Sequence, residues 1–468
     1  MLPQISASLI ILACAGQAAL EPPEFGAEIL RRHASFLASD SLEGRVTGSA
    51  ANRRAGDYIA AQFAAGGLRP LTGLDGFVHE VPLNRNLPGD IWLEANGVRI
   101  TAFSDVSFFG FRSTDGPVET AFRFAGAASA GELSGVRPGD VIITSILPGG
   151  SSRVMPIATQ TGASAMVYVL PEGMETTITE PEAGPRGIQY NDVIPTFFIS
   201  EHTARELWAD YDAARIGDVR RVTLNIERIS GDFEARNIVA MIEGDVFPDE
   251  LVVVAAHYDH LGVRGGEIYN GADDNASGTA ALLALAESWS ARAGAGDAPD
   301  RTLVFAAFDA EEFGNLGALG FADAELLDPA RISAVINMDG IGRREPGRDD
   351  DYIYVVGTGV HSDALPVWVA EVDDALPDIS VDNRLDSGRD LANYYSRSDH
   401  WALAQQGVPA VMLFAGLNED YHAPTDDVAA LDFDLLAIRT LYADALIAHI
   451  ANAEIQVPRR DPPPDFVR

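Results

Sequence analysis

Five short segments of the sequence contain histidines and carboxylates of the kind that bind zinc. Zinc takes neutral imidazole nitrogens and ionised carboxylate oxygens, and two zinc ions roughly 3.5–4 Å apart need one ligand that bridges them. A carboxylate has two oxygens and can bridge two ions. The segments are His257-Tyr258-Asp259, Gly271 to Gly278 with Asp273-Asp274-Asn275, Asp309 to Glu312, Asn337 to Gly340 with Asp339, and Tyr421-His422.

The elements that must position these groups have the pattern of an α/β sheet. From residue 235 onward, apolar strand-like runs alternate with Ala- and Leu-rich helical runs. Four strands are predicted at 250–257, 302–312, 332–340 and 407–416. In open α/β sheets, ligands bind outside the carboxyl ends of the strands. His257, Glu312 and Asp339 are expected there, and His422 follows its strand by a short loop.

The first half of the chain has a different character. Residues 24–71 have apolar positions at three- and four-residue spacing, which predicts helices that end at Gly66-Gly67. Residues 77–235 contain short β-like runs separated by Gly, Pro and Asn, which predicts a separate β-rich module. The stretch from residue 458 to the end is rich in proline and is predicted to be disordered.

The amino-acid composition excludes several classes of function. The 468 residues include 69 acidic and 33 basic side chains, all of the latter Arg, and the formal charge is −36. Such a surface repels phosphate backbones, so nucleic acid is not an expected partner. No apolar run after the first 20 residues is long enough to span a bilayer. The single cysteine, Cys14, excludes a disulfide framework and a Cys-based zinc site.

The N-terminal residues 1–20 have the pattern of a secretory signal. An apolar stretch from Ile5 to Ala15 is followed by small residues, although no basic side chain precedes it. A secreted or periplasmic protein is therefore predicted. The alternative is a lipoprotein with a lipid anchor at Cys14.

In this order and at these spacings, the five segments resemble the co-catalytic two-zinc exopeptidase family, which contains bacterial aminopeptidases, plasma glutamate carboxypeptidase and the glutamate carboxypeptidase II branch. HASFLASDSLEGRVTGSAAN (33–52) is similar to the family's opening motif, and residues 105–232 are similar to its inserted protease-associated (PA) domain. The resemblance implies an α/β fold, with a mixed-sheet zinc-exopeptidase core flanked by helices and a β-rich insert. The implied boundaries are 1–20 signal, 21–104 N-terminal part of the peptidase domain, 105–232 PA insert, 233–455 catalytic domain and 456–468 tail.

The resemblance also implies a role for each residue. His257 and Asp339 would bind one zinc, Glu312 and His422 the other, and Asp274 would bridge both. Asp274 is preferred to Asp273 because the family's bridging carboxylate stands four residues before a glycine, here Gly278, and its next peptide bond is cis. Glu311 would be the general base, and Asp259 would orient His257. The implied reaction is hydrolysis of the N-terminal peptide bond of a peptide through a zinc-bridged hydroxide.

Several nearby residues have simpler interpretations. His260 stands three residues after His257, like a metal pair, but that position is not a ligand in the family. Asp273 is expected to be a helix cap or solvated, and Asp309 to close a strand. The adjacent residues Ser398-Asp399-His400 cannot form a catalytic relay. The polar stretch 381–400 is expected to border the substrate site. The predicted substrate-binding residues are Tyr394, Tyr395, Arg397, His400 and Tyr421.

The sequence alone does not decide whether the N-terminal or the C-terminal end of a peptide is cleaved. An aminopeptidase is the leading hypothesis. A carboxypeptidase acting on C-terminal glutamate or on dipeptides must bind a terminal carboxylate, for which this chain offers only Arg and Tyr. A glutaminyl cyclase would share the metal motifs but use one zinc, and a receptor of the transferrin-receptor branch would have lost ligands that are present here. The oligomeric state is left open.

Overall fold

A computed structural model of the chain describes residues 25–460, apart from 103, 111, 115, 130, 146–160, 171–193, 265, 388–389 and 392–393. The predicted signal segment 1–20, with Cys14, lies outside the described residues, as do positions 461–468 of the predicted tail. Among the described residues, no helix is long and apolar enough to cross a membrane.

The helices include the two expected before residue 71. Ser49 begins the second of them by accepting a hydrogen bond from the Asn52 amide, which satisfies one of the free N–H groups of the first turn. Asp432 does the same for the last helix through the Leu435 amide. The described helices are α1 Ala27–Leu37, α2 Ala50–Ala65, α3 Glu201–Leu207, α4 Gly278–Gly294, α5 Leu316–Asp323, α6 Leu365–Ala375, α7 His400–Ala404 and α8 Phe433–Ala451.

The strands include all four that were predicted to carry the site. In chain order they are β1 Arg69–Pro70, β2 Val78–Ala95, β3 Val98–Thr101, β4 Ser107–Phe109, β5 Val118–Phe124, β6 Val141–Ser145, β7 Ala165–Val169, β8 Thr196–Ile199, β9 Val219–Ile242, β10 Phe247–His257, β11 Gly262–Arg264, β12 Glu267–Tyr269, β13 Arg301–Phe308, β14 Ile332–Met338, β15 Tyr352–Val356, β16 Ser380–Asp382 and β17 Ala410–Phe414.

The sheet is mixed, as predicted. Its main path runs β16-β15-β17-β14-β10-β13-β9-β5-β6-β7-β8-β4. The centre is parallel: β10 pairs with β13 and β14, and β14 pairs with β17. β9 and β15 are antiparallel to β13 and β17. The carboxyl ends of the four parallel strands therefore meet at one edge.

Helices cover both faces of this central sheet. Neighbouring residues of a strand point to opposite faces, and in β10 Val252 and Val254 belong to one core while Val253 and Ala255 belong to another. The first core includes residues of α1, α2, α4, α6 and α8, and the second includes residues of α5 and α7. Burial on both faces explains why these strands are apolar without alternation. The predicted fold class is confirmed.

A smaller β-rich unit has a hydrophobic core of its own. β5, β6, β7 and β8 surround residues such as Phe122, Val167 and the fully buried Trp208. The long strands β2 and β9 connect this unit to the central sheet. They pair with each other over their length, from Val78 opposite Ile238 to Glu94 opposite Thr223. Ile91 and Leu93 of β2 pack in the smaller core. That the unit is a PA domain with limits at 105 and 232 stays a prediction.

Candidate metal centre

The predicted ligands lie where the parallel strands end. His257 is the last residue of β10 and is level with Phe308 of β13, so the turn that carries Glu311 and Glu312 begins beside it. Asp339 follows β14 directly. His422 lies in the loop after β17 in a left-handed backbone conformation, with φ 56°. Topology thus brings together residues that are up to 165 positions apart in the sequence.

The bridging candidate lies in a loop, here called the ligand loop, that runs from Gly271 to Gly278. The Asp274–Asn275 peptide bond is cis, as the resemblance implies. A Cβ atom at Gly278 would overlap the Met338 carbonyl oxygen and Asn275 Oδ1, so only glycine fits at this start of α4. Asp426, itself buried, accepts hydrogen bonds from the amides of Asp273 at 2.9 Å and Asp274 at 3.1 Å.

A first donor group consists of His257, Asp274 and Asp339. His257 Nε2 lies 3.4 Å from Asp274 Oδ1 and 3.4 Å from Asp339 Oδ1. The imidazole is fully buried, and its Nε2 has no hydrogen-bond partner. Ligand atoms about 2.0–2.1 Å from a tetrahedral zinc are about 3.3–3.4 Å apart. The separations therefore fit one zinc ion.

A second donor group uses the other oxygen of Asp274. His422 Nε2 lies 3.1 Å from Asp274 Oδ2 and 3.4 Å from Glu312 Oε2. These separations again fit a tetrahedral zinc. The two Asp274 oxygens thus face two different imidazoles, which is the arrangement expected of a bridging carboxylate.

His260 also lies in this second group. Its Nδ1 is 2.8 Å from Glu312 Oε1 and 4.0 Å from Asp274 Oδ2, and its side chain is fully buried. These three residues offer atoms close enough to hold a metal ion. The resemblance to the family set His260 aside despite its spacing, whereas the structure places it directly against Glu312.

The main-chain oxygen of Asp259 lies 3.3 Å from His257 Nδ1, whereas its carboxylate contacts the turn after β13. Its Oδ1 is 3.7 Å from His257 Nδ1, beyond hydrogen-bond distance. The same carboxylate accepts hydrogen bonds from the amides of Glu311 at 3.0 Å and Glu312 at 3.3 Å. Glu311 Oε2 in turn lies 4.0 Å from His257 Nε2. Asp259 therefore fixes the backbone that presents both glutamates.

The N-terminal motif (33–52) packs against the candidate metal centre through Arg45. Arg45 is fully buried and donates to the carbonyl oxygens of Tyr258 at 2.7 Å, Asn270 at 2.6 Å, Gly271 at 3.0 Å and Leu37. It connects α1, the end of β10 and the start of the ligand loop. Its permanent positive charge lies beneath a group of carboxylates.

Asp309 is a buried acceptor rather than a simple strand end. Thr47 Oγ1 is 2.8 Å from Asp309 Oδ1 and 3.2 Å from Asp259 Oδ2, within donating distance of both. Asn52 and the Arg236 amide also donate to Asp309. Burial, and then the charge of Asp259, raise the pKa of Asp309 to about 7. Asp273, for which a helix cap or a solvated side chain was expected, is likewise buried and accepts a hydrogen bond from the Gly342 amide at 2.7 Å.

Electrostatics separate the acidic residues of the centre into two kinds. Burial raises the pKa of Glu311, and the charges of Glu312 and Asp339 raise it further, well above its ordinary value. Burial opposes ionisation of Glu312 too, but hydrogen bonds from His260 and His422 lower its pKa to about 2. Burial by itself lowers the pKa of His422, but its bonds to Asp274 and Glu312 raise it to about 10. The centre has an excess of negative charge that divalent cations would balance.

A cavity of about 370 Å³ opens beside the donor groups. Of the predicted substrate residues, Tyr394, Arg397 and Tyr421 line it, and the Tyr421 ring stacks on His422 with centroids 3.9 Å apart. The other described lining residues are Asp274, Glu311, Asp339, Met412, Phe414 and Leu417.

The placement of Tyr395 and His400 at the substrate site needs correction. Tyr395 is 1% exposed, packs in the second core and donates to the Ala410 carbonyl oxygen at 3.3 Å. His400 is fully buried at the start of α7, with its ring 5.0 Å from that of Tyr395. Neither is among the residues that line the cavity, because both side chains point into the apolar layer beneath the loop.

Residues 237–445 match the family profile described as Peptidase family M28. The matched residues contain all five proposed zinc ligands, so this part of the chain is similar to that family. Similar proteins include a probable leucine aminopeptidase of Trichophyton verrucosum, 28% identical over 217 residues, and a probable aminopeptidase of Saccharomyces cerevisiae, 26% identical over 247 residues. These alignments cover 45% and 50% of this chain, and 55% and 63% of the relatives. The chain thus spans little more than half the length of these relatives.

The likeness in fold extends beyond the residues that match this profile. The zinc aminopeptidase of Bacillus subtilis superposes with a TM-score of 0.62 over 93% of this chain and 97% of that chain, at 19% identity. At that identity the likeness shows the fold alone. It includes the helical segment and the β-rich unit that precede residue 237.

Residues outside the metal motifs complete the candidate metal centre. Arg45 and Thr47 contact it from more than 200 positions upstream. The glycine before Arg45 could have signalled this: a Cβ at Gly44 would overlap the Tyr269 carbonyl oxygen, and its φ is +66°. A left-handed Glu43-Gly44 turn next to a lone arginine indicates a tight approach to another segment.

Proposed function

We propose that the chain is a zinc-dependent exopeptidase that holds two zinc ions and removes the N-terminal residue of peptides. The observation that supports this most is the position of Asp274, whose two oxygens face His257 and His422 separately. One ion would be held by His257, Asp274 and Asp339. The other would be held by Asp274, Glu312 and His422.

The proton transfers and the positioning of the base are assigned to Glu311 and Asp259. When bound, the zinc pair lowers the pKa of a water molecule and polarises the scissile carbonyl. Glu311 lines the cavity beside the first donor group and takes the proton from the attacking water. It then transfers that proton to the leaving nitrogen. Asp259 holds Glu311 in place through the backbone amide.

The charge of the cavity favours an N-terminal amine over a C-terminal carboxylate as the group that approaches the centre. Three of its described lining residues are carboxylates, Asp274, Glu311 and Asp339. A substrate ammonium is attracted to such a site, and the net charge of −36 extends that attraction over a longer range. The apolar side chains of Met412, Phe414 and Leu417 offer a surface for the first side chain. The relatives described as aminopeptidases agree with this choice.

The test uses the zinc-loaded protein and compares substrates that differ in whether the amine or the carboxylate terminus is free. Leucine p-nitroanilide is expected to be hydrolysed, and its N-acetyl derivative is expected to be inert because it has no free amine. An N-acetylated dipeptide that ends in glutamate tests the carboxypeptidase alternative, and formation of pyroglutamate from a glutaminyl peptide tests the cyclase. Cleavage of the blocked dipeptide alone, or cyclisation alone, overturns the proposal.

We also propose export from the cytoplasm, because residues 1–20 have the pattern of a secretory signal. N-terminal sequencing of the protein recovered from a secreting host tests this. A first residue within 16–24 is expected, whereas an intact Met1 or a lipid on Cys14 overturns simple secretion.

A further inference from the structure

Arg397 is the only positively charged side chain among the described residues that line the cavity. Its Nη2 donates to Tyr421 Oη at 3.3 Å, and its guanidinium lies 5.6 Å from the centroid of the Tyr394 ring. Within the described part of the chain it forms no ion pair. Both aromatic neighbours also line the cavity, so they hold the guanidinium at its wall.

Several described arginines form no ion pair, but Arg397 is the one among them that lines the cavity. Acidic residues outnumber arginines 69 to 33, so the chain offers acidic partners in excess. Arg343 pairs with Asp420, and Arg384 pairs with Glu345. The free guanidinium of Arg397 can therefore bind an anion without first breaking an ion pair.

The cavity presents two kinds of charge to one ligand. Its carboxylates attract an ammonium group, and Arg397 attracts a carboxylate, which guanidinium groups bind with two parallel hydrogen bonds. In a peptide, each residue adds about 3.5 Å between the amine and the C-terminal carboxylate. Arg397 and the carboxylates line the same cavity, so a short peptide can place its amine at the carboxylates and its own carboxylate at Arg397.

Resting on the proposed aminopeptidase function, we propose that Arg397 binds a carboxylate on the residue after the scissile bond and so selects short zwitterionic peptides. The carboxylate can be the α-carboxylate of a dipeptide or the side chain of an acidic second residue. The apolar wall then receives the first side chain.

The test measures kcat/KM for leucylglycine, leucylglycine amide and leucylglutamate amide with the zinc-loaded enzyme. The wild type is expected to prefer leucylglycine to its amide by about 10-fold to 100-fold, the effect of one charge-assisted hydrogen bond. A preference for leucylglutamate amide over leucylglycine amide identifies the side-chain carboxylate as a second source of the anion.

Three variants distinguish direct binding of the substrate carboxylate by Arg397 from an indirect role in which Arg397 only positions Tyr421. Arg397→Gln is expected to bring the ratio for leucylglycine over its amide close to one, and Arg397→Lys to restore part of it. Arg53→Gln, an exposed arginine on α2, is the charge-matched control and should keep the ratio. If Arg397 acts only through Tyr421, Arg397→Gln lowers kcat/KM equally for all three substrates, and the proposal is overturned.

A wild-type kcat/KM ratio near one for leucylglycine over leucylglycine amide also overturns the proposal for Arg397. The proposed function is judged separately with leucine p-nitroanilide, which has no carboxylate. Absence of its hydrolysis rejects the aminopeptidase, whereas hydrolysis without a carboxylate preference rejects the role of Arg397 alone.

Discussion

Replacing Asp426 with asparagine perturbs the ligand loop without removing a proposed zinc ligand. Its carboxylate accepts hydrogen bonds from the amides of both Asp273 and Asp274 and is 1% exposed. An asparagine keeps one accepting oxygen and turns an N–H donor toward the other amide. The variant therefore loses one bond to a charged group and leaves one buried donor without a partner.

The magnitude follows from these two losses. A hydrogen bond to a charged group contributes about 1.5–3 kcal/mol, and an unsatisfied buried donor costs about 1–3 kcal/mol. We expect Asp426→Asn to lower the free energy of unfolding by about 2.5–6 kcal/mol. Because Asp274 would bridge both ions, zinc affinity should fall about 10-fold to 100-fold, as for other residues that orient metal ligands.

Urea unfolding of the zinc-free protein and competitive zinc titration with a chelator measure the two effects. Asp374→Asn, an exposed carboxylate on α6, is the matched control and should change neither quantity. Wild-type stability and wild-type zinc affinity in Asp426→Asn would refute the reasoning, because the loop would then not depend on this carboxylate.

Three further predictions concern packing, the buried hydrogen bonds and protonation. Gly278→Ala should destabilise the protein by about 1–3 kcal/mol through overlap with the Met338 carbonyl, whereas Gly294→Ala at the open end of the same helix should not; urea midpoints test this. Thr47→Val should cost about 1–3 kcal/mol by the same measurement, since Asp309 and Asp259 lose a donor. The pKa of His422, raised from 6.5 to about 10, implies a contribution to zinc-free stability that is complete below pH 6.5 and lost as the pH rises through 10. Zinc must displace this proton, so apparent zinc affinity should rise up to about tenfold per pH unit between 7 and 10, and a flat dependence in calorimetric titrations contradicts this.

The sequence could place three of the five proposed ligands because each lies at or just after the end of a strand whose apolar pattern is easy to find. His257, Glu312 and Asp339 were expected at carboxyl ends of parallel strands, and the register of β10, β13 and β14 brings those ends together. Asp274 and His422 lie on loops, and their positions depended on resemblance to a family and not on periodicity.

Other features depend on contacts that no local pattern reports. Arg45 and Thr47 reach the centre across more than 200 residues, so their roles follow from the packing of α1 and α2 against the sheet. His260 was set aside by analogy, although its imidazole lies against Glu312. Tyr395 was assigned to the cavity because it lies in the polar stretch 381–400, but it is buried in the second core, whereas its neighbour Tyr394 lines the cavity.

The most direct test of the central claim measures zinc content and hydrolysis of leucine p-nitroanilide together, in the wild type and in Glu311→Gln. We predict two zinc ions per chain in both proteins. We also predict a loss of kcat of about 10²-fold to 10⁴-fold in the variant, the usual effect of removing a general base. A single zinc ion in the wild type, or wild-type kcat in Glu311→Gln with both ions bound, would contradict the account.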